Sequence, residues 1–336
     1  MTQQDPAADL QRLVNGYQIS QAISVAATLG IADLLKDGPR ANDDLAAATN
    51  THPRSLYRLL RALAAAGVFH EHDDQRFSLT PIGEFLRSDA PGSSAPWAAQ
   101  IGRQYFWQAW GDLLHSVRTG ENAFRHQHAT DVWTYRAAHP EDSAVFDRAM
   151  TGQSHRTNGA VVAAYDFSRF ARIMDIGGGQ GSLLAAMLAA NPSAKGVLFD
   201  QAHVVSGAPA VLEAAKVADR CEVVAGSFFE AVPGGADAHV LKQIIHNWED
   251  DAAASILRVC RRAIDPAGTL LVVEQVVAPP NDGPTGKFMD LNMLLLPGGQ
   301  ERTRDEFAAL FATAGFRLTR VIPTASPASI IEAVPA

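Results

Sequence analysis

The sequence predicts a two-part α/β protein. A helical N-terminal module ends in a small hairpin, and a Rossmann-like domain follows on a seven-stranded, mostly parallel sheet. Three observations carry this reading. The 336 residues are too many for one average core. Apolar residues recur at helical spacing in the first half, and from about residue 170 short β-rich runs alternate with helical segments. At 173–190 a strand, a glycine turn and a helix follow one another directly. The boundaries expected are 1–100 for the first module, 101–165 for a helical linker that also supplies pocket helices, and 166–336 for the sheet domain.

Leu10, Leu13, Val14 and Tyr17 lie at helical spacing and predict a helix over 10–29. A short helix is expected at 29–35 with Gly30 as its break, then helices at 43–48 and 54–66 around the turn 49–53. The stripe Leu56, Leu59, Leu60, Leu63 gives the last of these an apolar face, and Gly67 ends it. Runs 68–71 and 76–79 alternate around a polar turn and predict a hairpin, after which Thr80-Pro81 predicts a new helix with proline first. Helix, turn, helix, hairpin is a winged-helix pattern, which raises DNA binding as a rival reading. Residues 1–100 hold eight Lys or Arg against eleven Asp or Glu, a poor balance for phosphate, so a structural or dimerising role is expected.

Residues 97–165 read as helical and rich in aromatics, among them Trp97, Trp107, Trp133 and Phe146. Most suit a helical core, and some suit the wall of a pocket for a flat ligand. Strands are expected at 172–176, 196–200, 222–225, 238–243 and 268–274, with 316–322 and 329–334 closing the sheet as a hairpin. The net charge of −8 argues against general nucleic-acid binding and against an anionic membrane surface. Apolar runs are interrupted by charges before they reach the length of a membrane span, and the polar, acidic start at 1–9 does not read as a signal peptide, so a cytoplasmic protein is expected. Cys221 and Cys260 form no C-x-x-C pair, and His126 and His128 have no matching ligands and read as solvated loop residues, so no metal site is expected.

The glycine turn carries the first chemistry. Its spacing is Asp175-x-Gly177-x-Gly179-x-Gly181, with Ser182 where the nicotinamide fingerprint places its last glycine. A carboxylate ending the strand suits an ammonium-bearing amino acid better than a pyrophosphate. Asp200 ends the next strand, 25 residues on, where an acid accepts from ribose hydroxyls. The segment Leu241-Lys-Gln-Ile-Ile-His246-Asn-Trp248 follows the fourth strand and puts His246 at the carboxyl end of the sheet, with Trp248 available to stack on an adenine.

With these motifs the chain resembles the plant-type, metal-independent O-methyltransferases (caffeate- and hydroxyindole-like), in their bacterial natural-product branch. The resemblance spans nearly the whole chain through DIGGGQG, VLFDQAHV, GSFFEAVP, LKQIIHNWEDD, LLVVEQVV and PGGQERT. It implies S-adenosyl-L-methionine as cofactor, a homodimer formed through the N-terminal module, and a small aromatic or polyketide-like acceptor. The histidine of the H-[DN]-W motif, the family's general base, falls on His246, and the two flanking glutamates fall on Glu274 and Glu301. Cofactor contacts fall on Asp175, Gly177, Asp200, Phe228, Lys242 and Trp248, and the acceptor-lining Phe and Met on Phe146 and Met150. The chain departs from the pattern at three places. Ser227 replaces an acid that accepts from the adenine amine, Asn247 follows the histidine where many plant members have Asp, and Leu296 replaces an acceptor-contacting Asn. The last change makes a more apolar pocket, so a plant phenylpropanoid acceptor is not implied. Two rival readings keep the cofactor: N-methylation, and a hydroxylation, decarboxylation or pericyclic reaction on the same scaffold.

Overall fold

The computed structural model describes residues 5–336 apart from the side chains of His155 and Arg156; the N-terminal reading at 1–9 therefore lies partly outside the described residues. The chain divides into two units. The first comprises Met1–Gly111 with Trp133–Gln153, and the second Asp112–Val132 with Ser154–Ala336.

In the first unit, the helix expected over 10–29 is two helices, Pro6–Val14 and Gly16–Thr28, broken at Asn15. Helices Asn42–Thr49 and Pro53–Ala65 follow. Pro53 opens the second of these, and His52 caps it by accepting from the Ser55 amide. Three strands make a small antiparallel sheet: β1 (Arg40–Ala41), β2 (Phe69–Glu71) and β3 (Arg76–Leu79), in the order β1-β3-β2. The sequence showed the hairpin and not β1, because two residues are too short for a periodic signal. Leu45, Leu56, Leu60, Leu63, Phe69 and Phe77 bury together as the core of this unit. The helix expected from Thr80-Pro81 is a turn leading to a single 3-10 turn, Gly83–Leu86. The Thr80 hydroxyl reaches the Gly67 and Val68 carbonyls as donor and accepts from the Gly83 amide at 3.1 Å, so it ties the segment back to the hairpin while capping only this short turn.

The second unit is a seven-stranded sheet: β4 (Arg172–Ile176), β5 (Lys195–Asp200), β6 (Cys221–Ala225), β7 (Ala238–Lys242), β8 (Thr269–Glu274), β9 (Phe316–Pro323) and β10 (Ser329–Pro335). Their spatial order is β6-β5-β4-β7-β8-β10-β9, parallel through β8, with β10 antiparallel to both neighbours. Alternate residues feed two cores, one on each face. Met174, Ile176, Leu241 and Val272 pack with the helices Asp250–Ala263 and Arg304–Thr313 on one side. Ile173, Leu198, Val240 and Leu271 pack with the helix Ser182–Ala190 on the other. The chain turns from building outward through β5 and β6 to building through β7 and β8 on the other side of β4. The crevice between the carboxyl ends of β4 and β7 is therefore the switch point where such folds bind ligands. The reading of Asp250 and Asp251 as a helix start holds. His126 and His128 do not lie in a solvated loop: both sit in the helix Ala123–His128, where His126 bonds Asp112 at 2.8 Å and stacks on His115. Among the described residues no helix is long and apolar enough to cross a membrane.

One core residue makes the sheet sensitive to acid. His239 on β7 is fully buried and neither ring nitrogen has a partner, so burial pulls its pKa down to about 4. Its folded pKa lies below the unfolded value. Above about pH 6.5 the ring is neutral in both states and adds no pH dependence, and stability is lost as pH falls from there toward the folded pKa. Denaturant unfolding is expected to show the wild type losing about 2 kcal/mol more than His239→Leu between about pH 7 and pH 5. Equal losses in the two proteins would show that the imidazole does not carry this sensitivity.

Candidate active site

At the end of β4, residues 177–181 turn sharply and hand the chain to the helix Ser182–Ala190. Gly177, Gly179 and Gly181 all have positive φ. Gly179 is the decisive one: with φ at +63°, a Cβ there would meet nothing within 4 Å, so its face of the loop opens on empty space. Its amide donates to Asp200 Oδ2 at 2.8 Å, and the Gln201 amide donates to Oδ1 at 2.7 Å. These bonds hold the carboxylate at the tip of β5 beside the loop. Burial raises its pKa, and the two amides counter that rise.

Asp175 lies on the strand below the loop. Only 1% exposed, it lies directly beneath Gly178, where a Cβ would come within 2.6 Å of its carboxyl carbon. One of its oxygens has no partner. Burial pushes the Asp175 pKa up to about 7, against the pull of the Lys242 charge. Burial likewise brings Lys242 down to about 8, against the pull of Asp175. The Lys242 ammonium donates to Ser154 Oγ at 2.7 Å and Asn158 Oδ1 at 3.0 Å. Phe228 lies at the loop, 3.5 Å from where a Gly177 Cβ would stand, and meets Trp248 edge-on with ring centroids 6.5 Å apart. Ser227 accepts from the Phe229 amide at 3.3 Å and so serves its own turn. Phe229, which the sequence reading passed over, packs edge-on against Trp248 at 4.8 Å. An open glycine face, an acid held at the tip of β5, aromatic walls and a half-buried lysine under the charge of a buried aspartate fit an adenosine-bearing amino acid.

The second half of the site is built on the turn after β7. His246 is 9% exposed, and its Nδ1 lies 2.8 Å from Glu301 Oε1. Glu274, at the end of β8, accepts from the backbone amides of both Ile244 and His246 at 3.1 Å. The two glutamates thus have separate tasks: Glu301 holds the ring and Glu274 holds the main chain that carries it. Burial pulls the imidazole pKa down. The Glu301 hydrogen bond, with the charges of Glu274 and Glu301, outweighs that pull and sets it above 6.5. Burial pushes Glu274 up to about 7. With Nδ1–H donated to Glu301, the neutral ring keeps its lone pair on Nε2, which is the arrangement of a proton acceptor.

Arg302 closes the turn. It is fully buried and donates to the carbonyls of Trp248 (2.9 Å), Ile245 and Gln300 (both 3.4 Å), and to Asp250 through two nitrogens at 3.0 and 2.8 Å. The Glu301 amide donates to Asp290 at 2.8 Å. Gly299 lies against the same turn: a Cβ there would come within 2.1 Å of the His246 carbonyl oxygen. Sequence reasoning assigned Glu301 from PGGQERT and left the glycines and Arg302 without a role. Asn247 donates its side-chain amide to the Gln243 carbonyl at 2.9 Å, and Leu296 is buried with its carbonyl accepting from Asn122 at 3.2 Å. The second unit therefore brings together His246, Glu274, Glu301, the glycine loop, Asp200, Lys242, Phe228 and Trp248. Phe146 and Met150 belong to the first unit, where the Arg136 guanidinium lies 3.4 Å from the Phe146 ring centre. Among the described residues no group of three His, Cys, Asp or Glu is placed to hold a metal ion.

The glycine contact yields a test. Gly299→Ala must push the His246–Trp248 main chain away, and a displacement of about 1 Å at a reacting group costs about 100-fold in rate. Steady-state turnover is expected to drop by about that factor. Gly234→Ala, whose Cβ would lie 3.7 Å from its nearest neighbour, should turn over normally. A fully active Gly299→Ala enzyme would show that this packing does not set the histidine.

Two protein families match the chain, one in each part of the sequence. Residues 110–317 match the O-methyltransferase domain family, and residues 11–89 match the O-methyltransferase dimerisation domain. The phenazine O-methyltransferase PhzM of Lysobacter antibioticus is 46% identical over 326 residues, covering 97% of this chain and 95% of that protein. The crystal structure of LaPhzM superposes with a TM-score of 0.94 at 45% identity, covering 99% of this chain and 100% of that one. CalO1, a methyltransferase of calicheamicin biosynthesis solved with S-adenosylhomocysteine bound, superposes with a TM-score of 0.87 at 38% identity, covering 99% and 100%. The chain belongs to the plant-type, metal-independent O-methyltransferases that use S-adenosylmethionine, in the branch found in bacterial natural-product pathways.

Proposed function

We propose that this enzyme methylates a hydroxyl of a small aromatic or polyketide-like molecule, with His246 as general base. The observation that carries the base assignment is the buried His246 Nδ1–Glu301 hydrogen bond of 2.8 Å. Asp200 and the glycine loop hold the methyl donor's adenosine, Phe228 and Trp248 flank its base, and Lys242 with Asp175 faces its amino-acid end. S-adenosylmethionine, when bound, supplies a methyl group made electrophilic by its sulfonium. His246 accepts the acceptor's hydroxyl proton on Nε2. A phenol of pKa about 10 is a weak nucleophile at neutral pH, and a ring raised above 6.5 narrows the gap that the proton transfer must cross. Glu301 behind the ring fixes its tautomer and stabilises the imidazolium. Glu274 keeps the backbone of the turn in place.

The N-terminal helices supply the rest of the reading. Leu10 (63% exposed), Leu13 (74%) and Val14 (62%) form an apolar face on the first helix, inside or beside the stretch that matches the dimerisation domain. A face of this kind suits a second copy of the chain, and we read the enzyme as a homodimer.

With a labelled methyl donor and a panel of phenols, His246→Ala is expected to lose about 100- to 10,000-fold in transfer while still binding S-adenosylhomocysteine. Undiminished transfer would remove the base role. In the wild type kcat/KM should fall as pH drops through the raised His246 pKa, since the protonated ring accepts nothing. Glu301→Gln takes away the leading upward influence, so its acid limb should move to lower pH while kcat falls; an unmoved limb would contradict the pairing. Product mass separates methylation, which adds one methylene unit, from the hydroxylation and decarboxylation rivals. For the assembly, sedimentation at micromolar concentration should show a dimer that Leu13→Asp dissociates, and a monomeric wild type would contradict it.

A further inference from the structure

Asn158 belongs to none of the sequence motifs, yet it is 4% exposed and spends both ends of its amide on the donor site. Its Oδ1 accepts from the Lys242 ammonium at 3.0 Å, and its Nδ2 donates to Ser182 Oγ at 3.1 Å. Ser182 is the first residue of the helix that follows the glycine loop. Lys242 ends β7, the strand beside the loop-bearing β4. A single buried side chain on the helix Pro140–Ala164 therefore ties the carboxyl end of β7 to the amino end of the helix that follows the glycine loop, on the two sides of the switch point.

An ammonium has three N–H donors. Ser154 at 2.7 Å and Asn158 at 3.0 Å take two, and among the described residues nothing takes the third. Asp175 is the acid whose charge acts on Lys242, and Asp200 acts in turn on Asp175; neither bonds the ammonium. An amide oxygen suits this place because it holds the cation without neutralising it. A carboxylate at the same position would consume the charge, and an apolar side chain would leave a half-buried cation short of an acceptor.

We propose that Asn158 is a positioning residue of the methyl-donor site. By bridging Lys242 to Ser182 it fixes the ammonium beside the glycine loop, so that the remaining N–H meets the carboxylate of the donor's amino-acid end. The assignment rests on the reading of Lys242 as a donor-site residue.

The test is binding of S-adenosylhomocysteine by titration calorimetry between about pH 6 and pH 10, without turnover. In the wild type, affinity falls on the alkaline side as Lys242 loses its proton. The ligand's own amine titrates equally in every protein, so differences between variants report the chain. Asn158→Leu removes an acceptor of the charged form: affinity at neutral pH is expected to fall about tenfold, with the alkaline break moving to lower pH. Asn158→Asp sets a carboxylate against the ammonium and should move the break to higher pH. A merely structural loss would not move the break in opposite directions. Should Asn158→Leu fail to fold, the upward move in Asn158→Asp is required by itself. Unchanged affinity and an unmoved break in the Asn158 variants, with Lys242→Met losing binding, overturn the proposal alone. If Lys242→Met also binds like wild type, the reading of Lys242 has failed as well.

Discussion

The hydrogen bond between His246 and Glu301 is the interaction that the rest of the second unit serves. A carboxylate and an imidazole taken out of water together are costly unless their geometry is fixed and the groups around them are bonded. The fold fixes it from several directions. Glu274 accepts the two amides of the turn that presents the ring, and Arg302 bonds that turn's carbonyls. Gly299 lets the segment bearing Glu301 lie against the turn's backbone at a distance no side chain would permit. Each contact acts on the main chain and not on the ring, which leaves Nε2 for the acceptor.

The donor half follows a related logic with different groups. Asp175 is buried and Lys242 half-buried, and the loss of solvent moves their pKa values toward each other, to about 7 and about 8. The lysine is held by neutral oxygens, those of Ser154 and Asn158, so it remains a charge that a ligand can use. Asp200, bonded by two amides at the carboxyl end of β5, is an acceptor already oriented before anything binds. Orientation achieved by the backbone in advance reduces what a ligand must spend on ordering the site. The glycine loop and the turn that carries His246 follow neighbouring strands, β4 and β7, and that adjacency comes from the order in which the sheet is built.

Much of this was legible in the sequence, for identifiable reasons. All seven strands of the large sheet were, because the β-rich runs stand between helical segments and glycine or proline punctuation. The glycine loop and Asp200 were, because they stand at the ends of strands, and His246 was, because it follows the fourth strand, whereas Glu274 and Glu301 were marked by the family resemblance alone. What escaped depended on tertiary contact. A buried arginine such as Arg302 looks in sequence like any surface charge, and Asn158 lies in a helix with no motif around it. The burial of Asp175 was missed because a residue at a strand end can face the loop or lie beneath it, and only the packing of Gly178 decides. The turn at Thr80-Pro81 was misread because the threonine hydroxyl bonds back to the hairpin, an interaction that propensity does not contain.

The central claim is that Glu301 holds His246 as a base with its proton on Nδ1 and a pKa above 6.5. Nitrogen-detected NMR of histidine-labelled enzyme, titrated with S-adenosylhomocysteine bound, observes both properties in one experiment. The account predicts a neutral His246 protonated on Nδ1 that becomes doubly protonated with a midpoint above 6.5. A neutral ring protonated on Nε2, or a midpoint below 6.5, would contradict it.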